Sequence, residues 1–199
     1  MTEIREPHSV LPAAGLHGQG LSLRAWDPKS EADVDAWLRG HSDPEFLRWN
    51  TPLWDITDAE GARKALRTKT AQAAAGTAAA FCVTDAEDGT VLGQIGLNSI
   101  DPVQSVANVG YWVLPEARGR RVATRSLLLL TRWAFDELDL HRLELGHAVG
   151  HEASCRIAEH CGFRYEGTLR GAMWEAGRRD AHRHGRLATD VEPEIETPW

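Results

Sequence analysis

The chain has 199 residues, 42% of them hydrophobic and 26% charged, with a formal net charge of −7. That length suits one domain with a real core, and the composition excludes a wholly disordered chain. No apolar run approaches the ~20 residues of a bilayer-spanning helix. The first residues lack an apolar signal core, and an acidic total argues against general nucleic-acid affinity. A cytoplasmic protein with no membrane or nucleic-acid partner is expected. Cys82, Cys155 and Cys161 are few and odd in number, without paired metal-ligand spacing, and read as reduced thiols.

Residues 1–19, rich in glycine and proline, read as an N-terminal arm. Leu21 to Trp26 alternates as a half-buried strand does. Ser30 with Asp33 opens a helix carrying Val34, Trp37 and Leu38 at helical spacing. Leu47 to Asp55 is loop-like. A second helix starts after Thr57 or Asp58 and runs to Ala75, closed by Gly76. Ala79–Thr84, Thr90–Ser99 and Val106–Leu114 are strand-like, the last stopped by Pro115. The strongest helix covers Val122 to Leu138, with Leu127, Leu130, Ala134 and Leu138 on one face. Arg142–Val149 reads as strand and Glu152–His160 as helix, followed by strands at Phe163–Leu169 and His182–Ala188. The order predicts an α+β fold with a mixed sheet: a single domain over 20–190 and a peripheral tail over 191–199.

Positive charge is uneven in this acidic chain. Arg118, Arg120, Arg121, Arg125 and Arg132 fall within one 15-residue stretch that runs from a strand end into the strongest helix. The first amides of a helix lack intrahelical acceptors and carry the positive end of its dipole. A strand, a short basic turn and a helix therefore make an anion cradle. Gly119 and Ala123 keep bulk low where a ligand would approach the backbone. Taken alone, the arginines could equally be a solvated helix cap.

The stretch Arg118-Gly119-Arg120-Arg121-Val122-Ala123 resembles the acetyl-CoA signature R/Q-x-x-G-x-G/A of the GNAT N-acetyltransferases, with Arg121 in place of the middle glycine. Val113 and Pro115 ahead of it match the family's strand end. A second block, His151-Glu152-Ala153-Ser154-Cys155-Arg156 to Gly162-Phe163, resembles the RimJ/RimL branch segment N-x-x-S-x-R-V-x-E-x-x-G-F, with His151 for the usual Asn. The resemblance covers about residues 20–190. It implies a GNAT-like acyl-CoA N-acyltransferase fold, with a splayed strand pair in the central sheet and helices on both faces.

The resemblance also implies a chemistry: transfer of acetyl from acetyl-CoA, a co-substrate, to a primary amine, without a metal. Backbone amides of Trp112, Val113 and Leu114 would hold the thioester carbonyl and the pantetheine. Arg118, Gly119, Arg120, Arg121, Val122, Ala123 and Thr124 would take the pyrophosphate. Ser154 would protonate the leaving thiolate, and His151 would border the cofactor. Arg121 could donate its backbone amide if it adopts helical dihedrals. Relatives often carry a Glu where this chain has Asn108 or Met173, so the base would be a water, Glu175, His147 or His151. Those absences leave open a catalytically weak acyl-CoA-binding module, or an enzyme for longer acyl groups. A homodimer is expected from the family.

Simpler readings stand beside these. Ser154 alone is an ordinary first-turn residue. His147 and His151 are spaced i, i+4 but fall on a strand end and a loop, so metal binding is not expected. His182 and His184 alternate on a strand and would line a cleft or serve structure. Of the eight tryptophans, Trp26, Trp37, Trp112 and Trp133 fit core patterns. Trp49 or Trp54 would wall an acceptor groove, with core packing as the alternative for Trp49.

Overall fold

The computed structural model describes residues 9–50, 56–174 and 177–193. Its strands are β1 (Leu16–Gly18), β2 (Leu21–Ala25), β3 (Ala79–Asp85), β4 (Val91–Asp101), β5 (Val106–Val113), β6 (Arg142–Ala148), β7 (Arg164–Trp174) and β8 (Arg178–Leu187). The helices are α1 (Glu31–Ser42), α2 (Pro44–Trp49), α3 (Ala59–Ala74), α4 (Val122–Asp136) and α5 (Glu152–His160). A single 3-10 turn, Pro115–Ala117, links β5 towards α4.

The strands form one sheet in the order β1-β2-β3-β4-β5-β6-β8-β7, antiparallel everywhere except between β5 and β6. Parallel neighbours need a crossover, and α4 supplies it. The parallel register runs from Val106↔Arg142 to Val109↔Leu145 and stops there. Beyond that point β5 stays paired with β4 as far as Val113, and β6 with β8 as far as Ala148. The two strands therefore part, which is the splay expected of this fold.

Each face of the sheet buries its own core. One contains Trp26, Val34, Trp37, Leu66 and Trp112 under α1 and α3. The other packs Leu127, Leu130, Trp133, Leu143, Leu145 and Phe163 around α4 and α5. In the first, Trp26 and Trp37 meet edge to face at 5.1 Å, and Trp112 lies 6.0 Å from both. Asp33, fully buried, fixes the start of α1. It accepts two 2.7 Å bonds from the Arg24 guanidinium of β2 and one from the Asp27 amide. Burying that carboxylate is tolerable because these donors meet both of its oxygens.

Sequence expectation and structure diverge at the N-terminal arm and at one loop. Residues 9–19 are docked rather than loose: β1 pairs with β2, the Val10 amide donates to Ala73, and Leu11 and Leu16 pack on the core. The segment taken as loop from Leu47 overlaps α2, which Asp43 caps through the Phe46 amide, with Pro44 at its first turn. In the tail, Glu192 pairs with Arg132 on α4. No helix among the described residues is long and apolar enough to cross a membrane.

Gly40 gives a test of the tryptophan core. It is buried in α1, and a Cβ there would stand 2.5 Å from the Trp112 ring. Gly→Ala within a helix ordinarily stabilises by about 0.5–1 kcal/mol. Gly40→Ala is expected to destabilise instead, by roughly 1–3 kcal/mol, read by urea denaturation.

Candidate functional site

The site begins where β5 and β6 separate. Leu114 donates its amide to Leu92 of β4 at 2.9 Å, so that amide is spent inside the sheet. Strand alternation turns Val113 the other way, towards the opening. The Val113 carbonyl indeed leaves the sheet, accepting from Arg118 Nε at 3.3 Å. Of the three amides expected to serve a ligand, Leu114 is therefore corrected, and Val113 is the one aimed at the gap. Trp112, two residues before Leu114, turns its backbone into β4 in the same way and buries its side chain in the α1/α3 core, so it too is corrected.

Past Pro115 the chain makes a left-handed turn. Gly119 has φ +77° and Arg121 φ +54°. Arg121 is the N-cap of α4 and gives it no side-chain cap. The helical dihedrals expected of Arg121 are thus not observed. The position is left-handed, which is the conformation that glycine adopts without steric cost. Amides following such a turn converge into an anion-binding concavity, continued by the unpaired first-turn amides of Val122, Ala123 and Thr124. A Cβ on Gly119 would meet nothing within 4 Å, so the cradle is open at this point.

The arginines of the turn are braced rather than merely solvated. Arg118 pairs with the buried Asp43, the same carboxylate that caps α2. Arg120 pairs with Asp85 at 2.8 Å. Arg125, largely buried, donates to the carbonyls of Gln19 and Arg120. These contacts fix the turn against β1, β3 and α2.

On the α5 side, Ser154 is buried in the first turn of its helix, and its Oγ lies 2.9 Å from the Tyr111 hydroxyl of β5. Burial pushes the Tyr111 phenol up from its ordinary value, partly offset by this bond, so it is held as a proton donor. Tyr111 was not singled out by sequence. Its place in an alternating strand signals packing, and only the α5 contact reveals a shared proton.

His151 is the N-cap residue of α5 and stacks on Trp49 of α2, with ring centroids 4.6 Å apart. Burial lowers its pKa to about 4, with repulsion from His147 adding to the fall. It is neutral near pH 7 and a weak base. Trp49 is therefore not core. Arg48 and Arg179 lie over its ring at 4.8 and 5.2 Å, making a cationic rim. Trp54 and Glu175 lie outside the described residues.

Asn108 stands opposite Glu144 on β6 and accepts from Arg183, which also pairs with Glu144 at 2.6 Å. Glu144 is further held by Arg142. Its carboxylate is thus committed to two arginines. Met173 sits on the edge strand β7, opposite Arg179. His147, His182 and His184 come together with Cys155, a grouping taken up below.

Residues 21–164 match the family described as Acetyltransferase (GNAT) domain. The chain belongs to the GNAT acetyltransferase family. GNAT enzymes use acetyl-CoA as co-substrate and need no metal. Over 90 residues the chain is 37% identical to "Putative ribosomal N-acetyltransferase YdaF" of Bacillus subtilis (strain 168). That match covers 45% of this chain and 49% of the relative, about half its length. Identity is 26% over 163 residues with "Uncharacterized N-acetyltransferase p20" of Bacillus licheniformis, covering 82% and 89% of the two chains. Among solved structures, RimL, a ribosomal L7/L12 alpha-N-protein acetyltransferase in complex with coenzyme A, superposes with a TM-score of 0.78. It is 22% identical over 85% of this chain and 95% of its own, a likeness of fold.

The left-handed turn predicts an asymmetry between substitutions. Arg121→Val, β-branched at positive φ, is expected to lose about 1–2 kcal/mol in thermal or chemical unfolding. Arg121→Gly, which accepts the conformation without strain, is expected to stay near wild type.

Proposed function

We propose that this protein moves an acetyl group from acetyl-CoA to a primary amine by direct attack in a ternary complex. The observation that carries the proposal is the opening after Val109 and Leu145, flanked by the left-handed arginine turn and bridged by the Tyr111–Ser154 pair.

The residues fit such a co-substrate. The amides from Gly119 to Thr124, with Arg120 and Arg121, hold the pyrophosphate; Arg118 positions the turn through Asp43. The Val113 amide supports the thioester carbonyl, whose oxygen gains negative charge as the amine adds. The amine nitrogen bonds to the carbonyl carbon, the carbon–sulfur bond breaks, and the thiolate takes a proton from Ser154. Tyr111 replenishes Ser154 through their shared hydrogen bond and regains its own proton from solvent as the products leave. The amine gives its proton to solvent, since Glu144 is tied to two arginines and His151 is a weak base.

Trp49 and His151 form the acceptor wall. The Arg48 and Arg179 rim favours an amine followed by acidic groups, such as the N-terminus of an acidic peptide. The names of YdaF and RimL make ribosomal-protein N-termini the first acceptors to try. Free thiols at Cys82, Cys155 and Cys161 suit a reducing cytoplasm. The exposed edge strand β7, with Tyr165, Leu169 and Trp174, supports the expected homodimer.

The test combines calorimetry with coenzyme A and product mass from a panel of peptide and small amines. Ser154→Ala and Tyr111→Phe are each expected to lower kcat about 100-fold while leaving the acetyl-CoA KM near wild type. The double variant should lose little more than either single one, because one proton path is cut. Arg120→Ala is expected to weaken coenzyme A binding roughly tenfold. Absence of coenzyme A binding, or turnover that survives the double variant, contradicts the assignment.

A further inference from the structure

Three histidines and a cysteine, far apart in sequence, converge beneath α5. His147 comes from β6, His182 and His184 from β8, and Cys155 from α5. One ligating atom from each lies within 4.8 Å of all the others. His147 Nε2 is 3.2 Å from His184 Nε2, and Cys155 Sγ is 3.8 Å from that same nitrogen. Two nitrogens on one tetrahedral zinc stand about 3.4 Å apart, and a sulfur and a nitrogen about 3.6 Å, given the usual bond lengths. The group is thus already near ligand spacing.

The His147 tautomer points the same way. His147 Nδ1 faces the Ala148 carbonyl at 3.0 Å, and a carbonyl can only accept, so the proton sits on Nδ1 and Nε2 carries a bare lone pair. His184 is fully buried. Its Nδ1 is buried without a hydrogen-bond partner. With the His147 proton on Nδ1, the 3.2 Å contact is a hydrogen bond from His184 Nε2–H to His147 Nε2, and an ion taking that place would move one proton to the unpartnered His184 Nδ1. The Ala148 carbonyl would then be the partner that orients His147 as a metal-bound imidazole. His182 Nδ1 is buried without a partner as well.

We propose that His147, His182, His184 and Cys155 form a binding site for a zinc-class divalent ion. Three imidazoles and one thiolate satisfy the tetrahedral preference of zinc and disfavour magnesium or calcium, which take oxygen. The ion has no part in acetyl transfer. It ties together β6, β8 and α5 one residue from Ser154, so its binding holds the sulfur side of the site and slows turnover. The metal site stands on its own ligands and does not depend on the acetyl-transfer reading.

The test is titration of the chelator-treated full chain with Zn²⁺ by calorimetry and with Co²⁺ by absorption, without coenzyme A. One ion per chain is expected, with Co²⁺ giving intense tetrahedral bands and a thiolate-to-metal charge-transfer band. Cys155→Ser should abolish the charge-transfer band and keep the fold by circular dichroism. The pair His147→Gln and His184→Gln should weaken Zn²⁺ binding by at least roughly 100-fold. If acetyl-CoA consumption is measurable, Zn²⁺ should slow it reversibly in wild type and not in Cys155→Ser. Absence of stoichiometric binding, or binding unchanged in both variants, overturns the site, whether or not the chain transfers acetyl groups. Binding that leaves turnover unchanged overturns the proposed restraint on Ser154.

Discussion

Parallel pairing between β5 and β6 ends at Val109 and Leu145, and the polar backbone beyond that point has to find other partners. Each strand keeps its outer neighbour, so the sheet does not fray; it opens only along its middle. A gap of this kind is stable because it is confined to one seam between two firmly paired halves. The features proposed for chemistry lie along it: the outward-facing edge of Val113, the turn into α4, and the Tyr111–Ser154 bridge. Without the splay, the Val113 amide and carbonyl would be ladder groups and the arginine turn an ordinary connection.

The electrostatic design of the turn follows from its position. Arginines crowded at one helix start would repel each other, and Arg118 and Arg120 are met by carboxylates from other elements, Asp43 and Asp85. Asp43 does two things at once, capping α2 and holding Arg118, so the Trp49-bearing helix and the anion cradle share one buried anion. This coupling aligns the proposed acceptor wall with the proposed pyrophosphate site. The same logic recurs on the other face of β6, where Glu144 and Glu166 neutralise Arg142 and Arg183.

Local signals carried much of the architecture. Asp58 and Gly76 bracket α3 as expected, and α5 runs from Glu152 to His160 as read from its pattern. The α2 helix was also announced, by Asp43 before Pro44, but its six residues are too few for a hydrophobic period to show. Strand β1 has three residues among glycines and acquires its structure only by pairing with β2. Arg121 illustrates a different limit. It stands where the motif has glycine, and a sequence motif does not reveal that the arginine adopts a left-handed backbone.

The histidine cluster was the least legible feature, and topology explains why. Only the His182/His184 alternation is visible locally, and it says merely that both face one side of a strand. The i, i+4 relation of His147 and His151 drew attention to the wrong partner, since His151 stacks on Trp49 and stands outside the group of four. His147 meets His182 because β6 and β8 are antiparallel in that register, and Cys155 meets His184 because α5 returns over the same face. Four soft ligands thus assemble from a strand pairing and a helix crossing. They do so immediately beside the serine that the splay places at the centre of the site, so a bound ion and the α5 contact to β5 necessarily share one rigid element.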